Sequence, residues 1–187
     1  MNIFVVDYNP IIAAQSLCDA HVCKMIVESC QLLSTQDRLE GLTEGRYKAT
    51  HVNHPCRRCL DAEANRFWLR VHLMGLLEEY TFRFGRVHKC QEMFDNLWRL
   101  YDSKADPTLS RLDRETVIEL ALYYAGFYSF PECVPPEFDS TELTGTIYYP
   151  AIRGVVVAYR EYYKYKKRTL KRWKYTRREE PAWLKEE

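Results

Sequence analysis

The chain has 187 residues and nearly balanced charge, with 27 basic and 26 acidic side chains and a formal net charge of +1 at pH 7. This length is enough for one full hydrophobic core and does not require two domains. No run of 18 apolar residues occurs, which excludes a transmembrane span. Seven cysteines without an amino-terminal signal sequence favour free thiols in a reducing compartment, so we expect a cytoplasmic protein with no membrane partner.

The first elements in chain order are a short extended segment and a long helix. Residues 2–7 are apolar and β-branched, which fits either a buried strand or simply extended chain. Pro10 suits the first turn of a helix, Asn9 is a suitable N-cap, and the pattern continues to about Thr35. We therefore predict one helix over residues 10–35, followed by a loop over residues 36–52.

A second long helix is predicted to begin at Pro55, with Asn53 or His54 as its N-cap. Its apolar positions recur every three or four residues, and Gly85 is a suitable residue to end it. Further helical patterns occupy residues 90–102 and 112–125. Three prolines between residues 131 and 136 forbid regular structure through about residue 140, and a last helix begins at about Pro150.

These elements predict an all-α protein, a compact single-domain helical bundle with a basic carboxy-terminal helix and tail. Residues 1–150 form the helical, catalytic-type domain, and residues 151–187 form a basic aromatic helix and tail that packs on this domain or extends from it. Residues 151–178 hold eleven Lys and Arg against the single acid Glu161, while the rest of the chain is acidic. A basic segment on an acidic body is typical of proteins that bind a polyanion from one side.

Three polar residues of the first long helix fall along one line. On a helix with 3.6 residues per turn, the angle around the helix axis from His21 is about 20° for Glu28 and about 60° for Lys24. They border the apolar stripe, where side chains that line a pocket are usually carried. We predict Glu28, His21 and Lys24 as catalytic residues. The alternative is an ordinary Lys24–Glu28 pair beside a histidine at the edge of the core.

The segment from His51 to Cys59 contains imidazole and thiol groups at spacings that suit zinc. Against a zinc site, Pro55 is predicted to open a helix, which gives His54 an ordinary capping role. No second pair stands at finger-like spacing, so a site would need further ligands from elsewhere in the chain, such as Cys18, Cys23 or Cys30. We therefore predict no bound metal and no cofactor.

The start of the second long helix is also a candidate phosphate-binding site. Backbone N–H groups at a helix amino terminus, the positive end of the helix dipole and two arginines together attract an anion. The alternative is an ordinary capped helix with solvated arginines. The residues predicted to contact DNA here are Asn53, His54, Arg57, Arg58 and, in the preceding loop, Lys48.

The carboxy-terminal segment mixes basic and aromatic residues between Tyr159 and Tyr175. Lysine and arginine neutralise phosphates while aromatic faces stack on exposed bases, so the mixture suits nucleic acid. The alternative is an amphipathic packing helix whose charged face is solvated. The residues predicted to contact DNA in this segment are Lys167, Arg168, Lys171, Arg172 and Trp173.

Two common classes of enzyme lack their sequence motifs in this chain. Neither GxGxxG nor GxxxxGK occurs, and the seven glycines are scattered singly, so nucleotide hydrolysis by a P-loop is not predicted. No GxSxG motif supports a serine hydrolase.

Three motifs together resemble a known family. These are Asp19-x-His21 followed by Glu28, the Asn53-His54-Pro55 entry, and the terminal Pro181-Ala182-Trp183. They are similar to phage pyrimidine-dimer DNA glycosylases of the endonuclease V type and to uncharacterised phage relatives. In that family an Asp-x-His with a Glu seven residues after the His occupies the first long helix, and the Asn-His-Pro motif is found in the broader relatives. The resemblance covers about the first 90 residues and the end of the chain.

The resemblance implies a compact all-α DNA-repair enzyme that binds bent duplex DNA, displaces a base and cleaves the N-glycosidic bond at a thymine photodimer. The family's catalytic Glu corresponds to Glu28, and its DNA-contacting His corresponds to His21. Glu28 would stabilise positive charge on the opening sugar or move protons at C1′ and C2′. Displacing the base costs a few kcal/mol, which the basic tail and the helix-end arginines would help to offset. For a phage-encoded enzyme, the compartment is the host cytoplasm.

Asn2 departs from the family pattern. The family's nucleophile is the α-amino group of a small residue that removal of Met1 exposes, whereas Asn2 does not favour that removal. Lys24 is a substitute, since a lysine activated by burial forms Schiff bases. Two alternatives therefore stay open: a phage DNA-modifying transferase that acts on thymidine-type nucleotides with a glycosylase-like scaffold, and a non-catalytic DNA-binding module.

Overall fold

The computed structural model describes residues 2–42, 47–96, 113–125, 130–141 and 152–185. Within these ranges the regular secondary structure consists of α-helices and 3-10 helices, and there is no strand. The all-α prediction is therefore confirmed. The helices are α1 (Pro10–Gln15), α2 (Asp19–Leu39), α3 (Pro55–Arg58), α4 (Glu63–Phe84), α5 (residues 91–96), α6 (Arg114–Ala125) and α7 (Ile152–Thr169). Short 3-10 helices cover Cys59–Asp61, Pro136–Phe138 and Ala182–Leu184. The second of these corrects the prediction that no regular structure forms through residue 140, since Pro136 stands at the first helical position, where its missing N–H is not needed.

Helix α4 is the centre of the bundle and packs against α1, α2 and α6. Trp68 is completely buried in the core, and its indole N–H donates to the carbonyl oxygen of Tyr8 at 2.9 Å. A Cβ at Gly75 would lie only 3.0 Å from Ile11 Cδ1, so the glycine allows α1 to approach α4 closely. Gly85 ends α4 in the left-handed conformation, with φ of 65°, as the sequence predicts.

The predicted helix over residues 10–35 is instead two helices, because tertiary contacts break it between α1 and α2. The N–H of Cys18 donates to the hydroxyl of Tyr163 at 2.9 Å, and the N–H of Asp19 donates to the carbonyl oxygen of Lys174 at 2.9 Å. A continuous helix would have used both N–H groups internally. Helix α2 then continues to Leu39, beyond the predicted end.

The predicted second helix is likewise interrupted soon after Pro55. His54 is the N-cap of α3, and its Nδ1 accepts the N–H of Cys56 at 3.1 Å. Ala62 is extended, with ψ of 122°, and separates the short 3-10 helix from α4. The carbonyl oxygen of Cys59 accepts both the N–H of Ala62 at 3.3 Å and the side chain of Asn65 at 3.0 Å at this break.

Residues 2–6 form neither a strand nor fully extended chain, because Phe4 has φ of 53° and the N–H of Val6 donates to the carbonyl oxygen of Phe4 at 2.8 Å. Arg160 of α7 holds this segment, with Nε donating to the carbonyl oxygen of Val6 at 2.8 Å and a guanidinium N–H donating to Asp7 at 3.0 Å. Helix α7 buries Tyr159 and Tyr163 in the same core that α2 and α4 build. The tail after α7 folds back onto the helices.

Parts of three predicted helices lie outside the described residues, namely residues 97–102, residue 112 and the predicted start at Pro150. The polar break predicted at residues 103–107 also lies outside them. None of the described helices combines the length and apolar character that a membrane span requires.

Candidate active site

The amino-terminal segment is fixed by the side chain of its own second residue. Asn2 Oδ1 accepts the N–H groups of Ile3 at 2.7 Å and Phe4 at 3.2 Å, while Asn2 Nδ2 donates to the carbonyl oxygen of Cys133 at 2.8 Å. Phe4 is buried with φ of 53°, a conformation that is uncommon for a bulky residue. These contacts hold the backbone nitrogen of Asn2 in one position.

That nitrogen lies at the carboxylate of Glu28. The N–H of Asn2 donates to Glu28 Oε2 at 3.2 Å, and the Nζ atom of Lys24 lies 3.4 Å from Glu28 Oε1. The Glu28 side chain is only 16% exposed, whereas that of Lys24 is 58% exposed. Glu28 is thus a largely desolvated carboxylate between a backbone N–H and an ammonium group. Two of the three predicted catalytic residues therefore lie together.

His21, the third predicted catalytic residue, is buried and has different partners. Its Nδ1 lies 2.8 Å from the hydroxyl of Tyr163, and its ring stacks on Phe4 at a centroid distance of 4.7 Å. Burial lowers the pKa of His21 to about 4, and the positive charges of Lys24 and Lys166 act in the same direction. The ring is therefore neutral at pH 7. Its contact with Phe4 supports the segment that carries Asn2.

A histidine and two thiols form a cluster next to Asn2. One potential ligand atom each from His54, Cys56 and Cys133 lies within 4.8 Å of the others, and the two Sγ atoms are 3.3 Å apart. Cys133 is held in place by Asn2 and by Tyr159, whose hydroxyl accepts the N–H of Cys133 at 3.2 Å. The same asparagine therefore connects the cluster with Glu28.

The ionisable groups of this cluster are coupled to one another. Burial lowers the pKa of His54, whereas the Glu28 carboxylate acts to raise it, so the two side chains interact electrostatically. The hydrogen bond from Cys56 lowers the pKa of Cys133 to about 7 despite the opposing effect of burial. The pKa of Cys56 is correspondingly raised, because Cys56 is the donor and is itself buried.

The sequence identified only part of this cluster. His54 and Cys56 were both considered as zinc ligands, but Cys133 lies 77 residues further along the chain and was not. Cys59 instead donates to the carbonyl oxygen of Cys56 at 3.2 Å, and His51 is exposed. The only sequence signal for Cys133 was a cysteine within the proline-rich segment of residues 131–136.

Arg57, one of the two arginines predicted to bind phosphate at the start of α3, points into the protein. This arginine is buried, with Nε donating to the carbonyl oxygen of Val52 at 2.6 Å and Nη1 donating to Gln36 at 3.0 Å and Asp61 at 2.7 Å. Its guanidinium therefore stabilises the loop before α3 and does not face solvent. The other residues predicted to contact DNA here, except the N-cap His54, are exposed; they are Lys48, Asn53 and Arg58.

The predicted DNA-contacting residues of the carboxy-terminal segment fall into two groups. Lys167 donates to Glu180 at 2.7 Å, and the indole N–H of Trp173 donates to the same carboxylate at 2.8 Å. Trp173 also packs against Tyr163 at a centroid distance of 5.1 Å, so both side chains have contacts within the protein. The second group is exposed and consists of Arg168, Lys171 and Arg172.

The sequence did not identify the contacts that anchor the tail, which we call the carboxy-terminal clasp (Asp19, Glu79, Arg83, Thr176 and Arg178). Arg83 is fully buried and pairs with Glu79 at 2.6 Å and Asp19 at 2.9 Å. Asp19 also accepts the backbone N–H of Thr176 at 3.0 Å and its hydroxyl at 2.7 Å. Arg178 pairs with Glu79 through two N–H groups. Asp19, part of the motif behind the family resemblance, thus has a structural role here.

Comparison with known proteins returned no matching family model, no similar curated protein and no similar solved structure.

Proposed function

We propose that this protein is a DNA-binding enzyme that acts on a displaced pyrimidine base, and specifically a DNA glycosylase. The observation that carries the proposal is the 3.2 Å contact between the backbone nitrogen of Asn2 and Glu28 Oε2. In the family that the sequence resembles, catalysis uses the nitrogen of the residue after Met1 together with a glutamate on the first long helix. The fold brings the corresponding two groups of this chain together.

The chemistry depends on the state of the nitrogen at residue 2. After removal of Met1, the amine of Asn2 attacks C1′, the bond from C1′ to the base breaks, and the sugar opens as an imine that permits strand cleavage by AP-lyase chemistry. With Met1 retained, Glu28 activates a water molecule toward C1′ and releases the base without an imine. In both cases Glu28 stabilises the positive charge that develops on the sugar.

The approach of DNA is assigned to the exposed basic residues at the end of α7 and just after it. The positive charge of Lys166 acts on His21, and Trp173 lies edge-on to the His21 ring at a centroid distance of 6.3 Å. The end of α7 is therefore close to the face of α2 that carries the predicted catalytic residues. Arg168, Lys171 and Arg172 belong to this region and are exposed, as phosphate contacts must be.

A base-modifying transferase on the same scaffold is the second candidate function. It is favoured by the surroundings of Lys24, which is 58% exposed and so lacks the burial that activates a Schiff-base lysine. If Met1 is retained, neither Lys24 nor residue 2 supplies an amine nucleophile. Glu28 would then act on an activated substituent of a thymidine-type nucleotide instead of C1′.

The first test replaces Glu28 by Gln and measures turnover on ultraviolet-irradiated, abasic and undamaged duplexes. We expect the wild type to act on damaged DNA alone. The Glu28→Gln variant should lose at least about 100-fold in rate, because a positioned proton-transfer group contributes that much or more. Glu161→Gln is the matched control, since Glu161 pairs with Lys164 on the surface of α7 and should retain full activity.

Borohydride trapping separates the two forms of the glycosylase chemistry. A trapped covalent complex at residue 2, identified by mass spectrometry, supports the imine route, whereas base release without trapping supports the water route. Near wild-type rates in Glu28→Gln would remove Glu28 from catalysis. Binding without turnover on any of these duplexes would contradict the glycosylase proposal, and the transferase would then be tested with activated thymidine substituents.

The second test neutralises Lys171 and Arg172 together by replacement with Gln. We expect weaker binding to duplex DNA and a slope of log affinity against log salt that is shallower by roughly 2, since each lost phosphate contact changes the slope by about 0.9. The control replaces Lys89 and Arg114, which are exposed on other elements. Equal slopes for the two double variants would show that DNA does not bind beside the end of α7.

A further inference from the structure

The cluster of His54, Cys56 and Cys133 has the chemistry and the spacing of a transition-metal site. Imidazole nitrogen and thiolate sulfur are the preferred protein ligands of zinc. The three residues come from the start of α3 and from a segment 77 residues further along the chain, so neighbouring positions in the sequence do not explain their meeting. We propose that His54, Cys56 and Cys133 bind one zinc ion and leave its fourth coordination position open.

The distances between the ligand atoms suit tetrahedral zinc with small side-chain adjustments. Bonds of about 2.3 Å to sulfur and about 2.0 Å to nitrogen place ligand atoms about 3.5 to 3.8 Å apart around the ion. The two Sγ atoms are 3.3 Å apart, and the whole set lies within 4.8 Å. Side-chain movements of up to about 1 Å are therefore needed to bring all three ligand atoms to zinc.

The ligands are held in place by the surrounding structure. The buried Tyr159 accepts the N–H of Cys133 and donates to the carbonyl oxygen of Pro131 at 3.1 Å, and Asn2 bonds the carbonyl oxygen of Cys133. His54 and Cys56 are fixed by the first turn of α3. Nδ1 of His54 accepts the N–H of Cys56 at 3.1 Å, and zinc bound at Nδ1 would replace this hydrogen bond while the ring proton remained on Nε2.

Among the described residues, the number of ligands points to an open site and not to a closed structural one. Structural zinc normally has four protein ligands, whereas three ligands leave room for water or substrate. The only other thiol of the CxxC pair, Cys59, is bonded to the carbonyl oxygen of Cys56. Zinc at an open site lowers the pKa of a bound water molecule toward neutrality. Asn2 donates hydrogen bonds both to Glu28 and to the carbonyl oxygen of Cys133, so this one residue links the Glu28 carboxylate to the cluster.

The principal competing outcome is a disulfide between Cys56 and Cys133. Their Sγ atoms are close enough that a modest movement would allow oxidation. Against this, His54 is the third member of the cluster and contributes nothing to a disulfide. Metal analysis and thiol analysis of the same sample separate the two outcomes, independently of any activity on DNA.

The test measures zinc in the full-length protein purified under reducing conditions without a chelator. We expect about one zinc per chain in the wild type and background levels in Cys56→Ser, Cys133→Ser and His54→Ala, since loss of one of three ligands removes most of the affinity. Cys23→Ser, a half-buried thiol elsewhere on α2, is the matched control and should retain the metal. Cys59→Ser should also retain it if the fourth position is open.

Titration of the metal-free wild type with cobalt uses no variant, so a substitution that prevents folding cannot affect the result. Thiolate-to-cobalt charge-transfer absorption and intense visible bands, saturating at about one equivalent, are expected from a tetrahedral site with two sulfur ligands. Several outcomes would overturn the proposal: absence of these bands, full zinc content in Cys133→Ser, or a Cys56–Cys133 disulfide in metal-free protein from the cell. Loss of zinc in Cys59→Ser would overturn the open position and indicate a closed four-ligand site.

Discussion

Two carboxylates on α2, Asp19 and Glu28, lie about 2.5 turns apart and have opposite environments. Asp19 pairs with the fully buried Arg83 and accepts two hydrogen bonds from Thr176. Glu28 accepts one backbone N–H and pairs with a lysine that is mostly exposed. A carboxylate that three fixed donors engage, as Asp19 is here, is suited to holding structure together. A carboxylate with fewer partners, one of them a mostly exposed lysine, keeps the capacity to bind or to move a proton.

The pKa of Asp19 reflects the hydrogen bonds that this carboxylate accepts. Burial raises the pKa of Asp19, but the hydrogen bonds from Thr176 and Arg83 outweigh it and hold the pKa below its usual value. The carboxylate is therefore ionised in the folded protein over the physiological range. This fixed negative charge anchors the tail. The aromatic side chains of Trp173 and Tyr175 therefore pack on the start of α2. The clasp thus fixes the tail that follows the basic end of α7.

The largest expected effect comes from breaking the clasp with Arg83→Met. This substitution leaves Asp19 and Glu79 without their shared buried cation, and removing one partner of a buried ion pair costs about 3 to 5 kcal/mol. We expect a loss of about 3 kcal/mol in the free energy of unfolding, the low end of that range, because Arg178 still pairs with Glu79. Urea unfolding at pH 7.5 measures the change.

The control for this prediction is Arg114→Met. Arg114 pairs with Glu78 at 2.7 Å, but both side chains are about half exposed. Such a surface pair contributes about 0 to 1 kcal/mol. Similar losses in the two variants would contradict the view that Asp19 belongs to a buried structural network, and the contrast between Asp19 and Glu28 would then be lost.

The sequence predicted the fold class and the position of the main helices, because these depend on local patterns. Pro10 and Pro55 both begin helices, and Gly85 ends one. Sequence periodicity did not predict the break between α1 and α2. That break is imposed by Tyr163 and Lys174, which are far away in the chain and take two N–H groups that a helix would otherwise use. Local propensity contains no information about such partners.

For the candidate site as well, the sequence predicted the local contacts but not those that depend on the tertiary fold. Helical spacing correctly placed Lys24 near Glu28, since an i,i+4 pair is a local property. The same spacing gave no means of distinguishing an exposed His21 from one buried against Phe4 and Tyr163. Asn2 and Cys133 reach Glu28 and Cys56 only through the tertiary fold. The catalytic and DNA-binding roles of these residues stay predictions.

The smallest expected effect concerns His21, which lies on α2 between Asp19 and Glu28. Its pKa in the folded protein is about 4, lowered chiefly by burial, against an unfolded value of 6.5. As the pH falls below 6.5 the unfolded chain binds a proton that the folded protein does not, so stability is lost down to about pH 4. Between pH 7.5 and 5.5 this group should cost the wild type about 1.4 kcal/mol.

His21→Gln isolates that contribution, because its amide can still bond the Tyr163 hydroxyl but does not titrate. We expect the variant to lose about 1.4 kcal/mol less than the wild type between pH 7.5 and 5.5, measured by urea unfolding at both values. His72, whose pKa burial lowers to about 3, is present in both proteins and cancels from the difference. Equal losses would mean that His21 becomes protonated in the folded state near neutral pH. His21 would then belong with Glu28 as a group able to exchange protons, and not with Asp19 as a fixed part of the structure.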